Sequence, residues 1–132
     1  MNAQHLTPIL NVSDMEQSFD WFTRLGWTKR WDWQATPDAP VTFGAVGSGQ
    51  CEIFLCLGAQ GGSGQVGDRE MGMWMSMWVA KVDAEFANCQ ANGIEVTRPP
   101  KDEPWGVREM HVRHPDGHIF RISQSSDCPE PA

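Results

Sequence analysis

The order strand, helix, three strands can be read twice along this 132-residue sequence, and a repeated unit constrains a fold more than any single motif does. In the first unit, residues 6–12 (LTPILNV) read as a strand. Ser13-Asp14 then caps a helix whose apolar positions Met15, Phe19, Phe22 and Leu25 recur at helical spacing. Gly26 ends that helix as a C-terminal cap. Strand-like runs follow at 27–34, 40–46 and 50–57, and the Gly-rich segment 58–70 reads as a loop. The order then recurs as strand 71–79, a helix at 83–92 ended by Gly93, and strands at 94–98, 106–114 and 118–124. His114-Pro115-Asp116-Gly117 is the turn of the closing hairpin. The expected fold is α+β: a single domain over 1–132 made of two βαβββ modules in tandem, about 4–57 and 71–124, followed by a frayed tail at 125–132.

Strand parity sorts the faces. In 71–78, Met71, Met73, Met75 and Met77 alternate with Gly72, Trp74, Ser76 and Trp78, which puts the methionines under a helix and both indoles on the opposite face. Cys51, Ile53, Leu55 and Leu57 oppose Glu52, Phe54 and Cys56. Leu6, Pro8, Leu10 and Val12 oppose His5, Thr7, Ile9 and Asn11, and His118, Phe120 and Ile122 oppose Ile119, Arg121 and Ser123. The more apolar set of each strand is expected against the helices, leaving a mixed face to line a cleft.

Seven tryptophans and no tyrosine make the indoles the main candidates for binding. Trp21 and Trp27 are expected in the core or an interface, Trp31 and Trp33 on one face of the second strand, Trp74 and Trp78 in the cleft, and Trp105 on its rim. Ten basic against seventeen acidic residues give a formal charge of −7, which disfavours a nucleic-acid partner. Asp32, Glu52 and Glu109 are candidates to meet a positive charge on a ligand. The start MNAQHLTPIL lacks the basic and apolar regions of a signal peptide, and the longest apolar stretch, 71–80, is too short to span a membrane; a cytoplasmic location is expected. Cys51, Cys56, Cys89 and Cys128 form no CxxC pair, and Cys51 and Cys56 face opposite ways, so reduced thiols are expected.

Other chemistry finds little support. The run 62–67 matches GxGxxG, but the following segment reads as a strand, and a phosphate cradle needs a helix N-terminus there. No nucleophile-elbow motif is present. His111 and His114 face opposite ways, and these together with His118 fit a surface or hairpin role better than a zinc triad.

Two segments, LNVSDMEQSFDWFTRLGW (10–27) and PWGVREMHVRHPDGHIF (104–120), resemble the opening and the closing hairpin of the vicinal oxygen chelate superfamily of glyoxalases, extradiol dioxygenases and bleomycin resistance proteins. His114 stands where that family usually begins its turn with Asp. The resemblance implies paired βαβββ modules forming a curved mixed-sheet cleft, completed in a homodimer whose clefts are shared between two chains. It also implies four metal-ligand positions, which fall here on Thr7, Phe54 (or Glu52 in a register shifted by two), Trp74 and Arg121. None of Thr, Phe, Trp and Arg suits such a site, and Arg keeps its positive charge. The expected function is therefore binding and sequestration of a planar aromatic, cationic small molecule of the bleomycin type, without catalysis, metal or cofactor. Trp33, Glu52, Phe54, Trp74, Trp78, Trp105 and Arg121 are the expected ligand contacts, with Arg121 alternatively paired to Glu52 across the cleft. Two readings stand beside it: a metal-dependent glyoxalase- or dioxygenase-like enzyme using His5 and Glu52, and a binding module for an endogenous metabolite.

Overall fold

The structure is a computed structural model that describes residues 1–59 and 72–125. The first module comprises β1 (Ile9–Val12), α1 (Met15–Leu25), β2 (Thr28–Gln34), β3 (Val41–Ser48) and β4 (Cys51–Leu57). The second comprises β5 (Trp74–Trp78), α2 (Val82–Ala91), β6 (Glu95–Asp102), β7 (Val107–Arg113) and β8 (Ile119–Ser125). Each module builds its own four-stranded mixed sheet, ordered β1-β4-β3-β2 and β5-β8-β7-β6. In both, the first strand pairs parallel with the last and the other pairs are antiparallel. A parallel pair needs a crossover, and the helix of each module supplies it. Most of segment 58–70, with its GxGxxG run, and Met71, Cys128 and the tail after Ser125 lie outside the described residues.

α1 forms where expected. Asp14 is extended and its Oδ1 accepts from Gln17 N at 2.9 Å, while Gly26 at φ 111° closes the C-terminus. Ser13 does not cap: its N–H and hydroxyl donate to the Asp116 carboxylate at 2.9 and 2.6 Å, tying α1 to the hairpin of the second module. α2 has no side-chain cap of its own. Gln124 of β8 fills the role, its Oε1 accepting from Val82 N at 2.7 Å.

One apolar core runs through both modules, including Leu10, Phe22 and Leu55 from the first and Met110, Phe120 and Ile122 from the second. Trp21 and Trp27 are buried in it, and Trp21 stacks on Phe120 with ring centres 5.7 Å apart. Leu6 departs from its expected inward face and is 94% exposed, because β1 begins only at Ile9. Of the surface or hairpin role expected for them, His114 and His118 take the hairpin one, and both are buried. Asp116 N–H donates to His114 Nδ1 at 3.0 Å, so the ring proton lies on Nε2 and is given to Ser18 Oγ at 3.0 Å. Met73 N–H likewise donates to His118 Nδ1 at 2.9 Å, and His118 Nε2 donates to Asn11 O at 2.8 Å. These bonds seal the seam between the modules with satisfied polar groups. Among the described residues, no helix is long and apolar enough to cross a membrane.

Candidate functional site

Three places gather the chemistry. On the outer face of the first sheet, Trp31, Phe43 and Phe54 form a ring cluster with centres 5.4–5.8 Å apart. The small Ala45 pairs with both Trp31 and Phe54 in register, which leaves room for the rings to lean together. Beside them a cavity of about 530 Å³ is lined by Trp31, Trp33, Phe43 and Cys56.

The second place lies at the seam. A cavity of about 770 Å³ opens between the approach to β1, the start of β4 and the edge strand β5, and it brings together His5, Thr7, Glu52 and Trp78. Glu52 accepts from Arg30 Nη1 at 3.2 Å, and Arg30 Nη2 donates to Gly49 O at 2.8 Å. Arg30 reaches across β3 because position 47 is glycine; a Cβ there would overlap the guanidinium.

The third place is the outer face of the second sheet. Glu109 is only 3% exposed and forms an ion pair with Arg121 Nε; Ser123 Oγ donates to its Oε2 at 3.5 Å. His111 is in register with Arg121, and its Nε2 stands 3.9 Å from Glu109 Oε2, too far for a hydrogen bond. Burial, and next the Arg98 charge, hold the His111 ring below the usual histidine range. Trp74 meets the His111 ring edge-on at 6.2 Å and is itself 66% exposed.

The expected ligand residues are thus distributed. Trp33 and Phe54 share the first sheet's outer face, Trp74 and Arg121 share the second's, and Glu52 and Trp78 meet at the seam. Trp105 is exposed in the turn between β6 and β7 and lines neither cavity. Arg121 pairs with Glu109 and not with Glu52, because β7 and β8 are neighbours in one sheet whereas β4 belongs to the other. Asp32 is held by Lys29 Nζ at 2.5 Å. All three carboxylates expected to meet a cationic ligand therefore already hold a cation of the chain. Phe43 and Arg30 join the site residues without having been anticipated, and so does His111, for which a surface or hairpin role was expected. The parity of 40–46 carries a signal for Phe43, but the other two depend on strand register.

The family-implied metal does not fit. Thr7, Phe54, Trp74 and Arg121 offer no donor set for a divalent ion, and His5 and Glu52 are two potential ligands with Glu52 already bonded to Arg30. Among the described residues, no group of three His, Cys, Asp or Glu side chains is arranged to hold a metal ion.

Two tandem βαβββ modules with aromatic outer faces define a protein of the glyoxalase fold. Residues 3–122 match the Glyoxalase/Bleomycin resistance protein/Dioxygenase superfamily, and the chain belongs to that family. Its fold is shared by TioX from Micromonospora sp. ML1, at 21% identity and a TM-score of 0.76 over 93% of this chain and 99% of that one. TnmS3, an antibiotic binding protein from Streptomyces sp. CB03234, aligns at 25% identity and a TM-score of 0.74 over 96% and 99%. The bleomycin resistance determinant encoded on the transposon Tn5 aligns at 17% identity and a TM-score of 0.69 over 93% and 98%. No curated protein matches the sequence.

Proposed function

We propose that the protein holds a planar aromatic small molecule and sequesters it without transforming it, in a cytoplasmic homodimer whose clefts are shared between copies. The observation that carries this reading is the chemistry at the four positions where the resemblance implies metal ligands: a hydroxyl, two aromatic rings and a permanent cation stand at Thr7, Phe54, Trp74 and Arg121. Trp33, Trp74 and Trp78 are each more than half exposed. A flat ligand stacked on such rings gains about 0.5–1.5 kcal/mol per ring beyond the area it buries. The antibiotic-binding TnmS3 and the bleomycin resistance determinant support this branch of the family. Opposing the first sheet's face of one copy to the second sheet's face of its partner would bring Trp33 and Phe54 to Trp74 and Arg121, which one chain keeps apart. The unpaired Cys51, Cys56 and Cys89 suit a reducing compartment.

Tryptophan-fluorescence titration with bleomycin and a panel of planar antibiotics tests the reading, with calorimetry on each hit. Saturable quenching at about micromolar affinity or tighter is expected. Trp74→Ala is expected to weaken binding several-fold without lowering the melting temperature, since most of the ring stands in solvent. An absence of saturation across the panel, or a stoichiometric divalent ion retained through mild chelation, overturns the proposal.

A further inference from the structure

We infer that the outer face of the second sheet is a clamp for an oxyanion, so that the aromatic ligand proposed above is gripped through a carboxylate or similar anionic group at Arg121; the inference rests on that binding reading. Arg121 is held at one end only. Its Nε contacts the buried Glu109 carboxylate, and its two Nη nitrogens have no other hydrogen-bond or ion-pair partner among the described residues. That leaves the forked end of the guanidinium, whose spacing matches the two oxygens of a carboxylate, available to a ligand. Glu109 is a positioning residue: its carboxylate draws the Nε end of the guanidinium inward as an ion pair and itself accepts from Ser123 Oγ.

The surroundings point the same way. His111 Nε2 is enclosed and has no hydrogen-bond partner, an orphaned polar atom next to Arg121. Burial and the Arg98 charge disfavour the protonated ring, so His111 stands beside the guanidinium without adding a second cation. Ser76 pairs with Arg121 on the β5 side, and its small side chain leaves the approach over the guanidinium open. Trp74, two residues earlier on the same face of β5, stands beside His111 as a wall for the ligand's rings. The three carboxylates expected to meet a cationic ligand, Asp32, Glu52 and Glu109, are already occupied by Lys29, Arg30 and Arg121. The overall charge of −7 does not reverse this preference at contact range, because charges beyond about 8 Å are largely screened at physiological salt.

Three naphthalene probes separate the possibilities: 2-naphthoate, 2-naphthamide and 2-naphthylmethylammonium carry the same rings with an anionic, neutral or cationic group. Calorimetric titration into the full chain at neutral pH is expected to show naphthoate binding about tenfold more tightly than either of the others, with the advantage shrinking at high salt. Arg121→Lys keeps a charge over Glu109 but loses the fork, and is expected to reduce the preference to within about threefold. Chemical shifts of the Arg121 guanidinium and Trp74 indole in the unmodified chain, expected to move with naphthoate, provide a check that needs no variant. Equal affinity for the three probes, tightest binding of the ammonium, or a naphthoate preference untouched by Arg121→Lys overturns the inference and leaves aromatic binding standing. Binding of none of the three overturns both.

Discussion

His114 has no exposed surface, yet both of its ring nitrogens are engaged. Nδ1 accepts the Asp116 N–H, which is the turn-closing bond that an Asp side chain supplies by a different route, and Nε2 donates to Ser18 on α1. A second proton would have to enter at Nδ1 against that N–H, and the resulting charge would sit in a desolvated core beside His118. Burial pushes the ring down to about 3, His118 adds to the shift, and Asp116 opposes it. An unfolded chain protonates this ring below its ordinary 6.5, whereas the folded chain does not until about 3. Over that window the unfolded state binds more protons, so stability falls as pH drops, by up to about 1.4 kcal/mol per pH unit, and is unaffected by this group above 6.5. His114→Gln is expected to cost about 1–3 kcal/mol at neutral pH and to flatten the acid slope. Urea unfolding across that range checks it; identical slopes for both chains would refute the assignment.

At the scale of elements, the strands and helices were legible because their signals are local. The 3.6-residue recurrence of Met15, Phe22 and Leu25 and the Gly26 stop placed α1, and period-two alternation put Trp74 with Trp78, and Glu52 with Phe54, on shared faces. Long-range partners left no such trace. Ser13 has the composition of a cap but bonds to Asp116, while Gln124 caps a helix whose first residue is Val82. The Glu109–Arg121 and Arg30–Glu52 pairs likewise follow from register and from the gap at Gly47, neither of which is written in any short window. Two elements give tests. Gln124→Ala is expected to destabilise by about 1 kcal/mol through the lost cap, with Gln124→Glu restoring most of it because the acceptor returns. Gly72 crosses the closing hairpin where a Cβ would overlap the backbone of Gly117 and His118, and backbone cannot swing aside as a flexible side chain would. Gly72→Ala should therefore cost about 1–3 kcal/mol, read as a lowered melting temperature; an unchanged transition would show that the crossing is looser than drawn.

For the whole molecule, the decisive arrangement is that one core joins the modules through their inner faces while both outer faces point away. Trp33 and Phe54 are on one, Trp74 and Arg121 on the other, and among the described residues the sheets end at the edge strands β1 and β2 in the first and β5 and β6 in the second. The cleft proposed above joins both faces and so draws on two chains, and that proposal has an arithmetic consequence. Trp33→Ala spoils the first-sheet face and Trp74→Ala the second-sheet face. In a mixed dimer of the two variants, one cleft receives both defects and the other receives neither. Dissociating and reassociating an equimolar mixture should thus regenerate about a quarter of the wild-type sites at full affinity, although each variant alone binds several-fold more weakly. Calorimetric stoichiometry before and after reassociation measures this directly. If the mixture merely averages the two variants, each chain carries its own complete site, and the faces do not meet across copies.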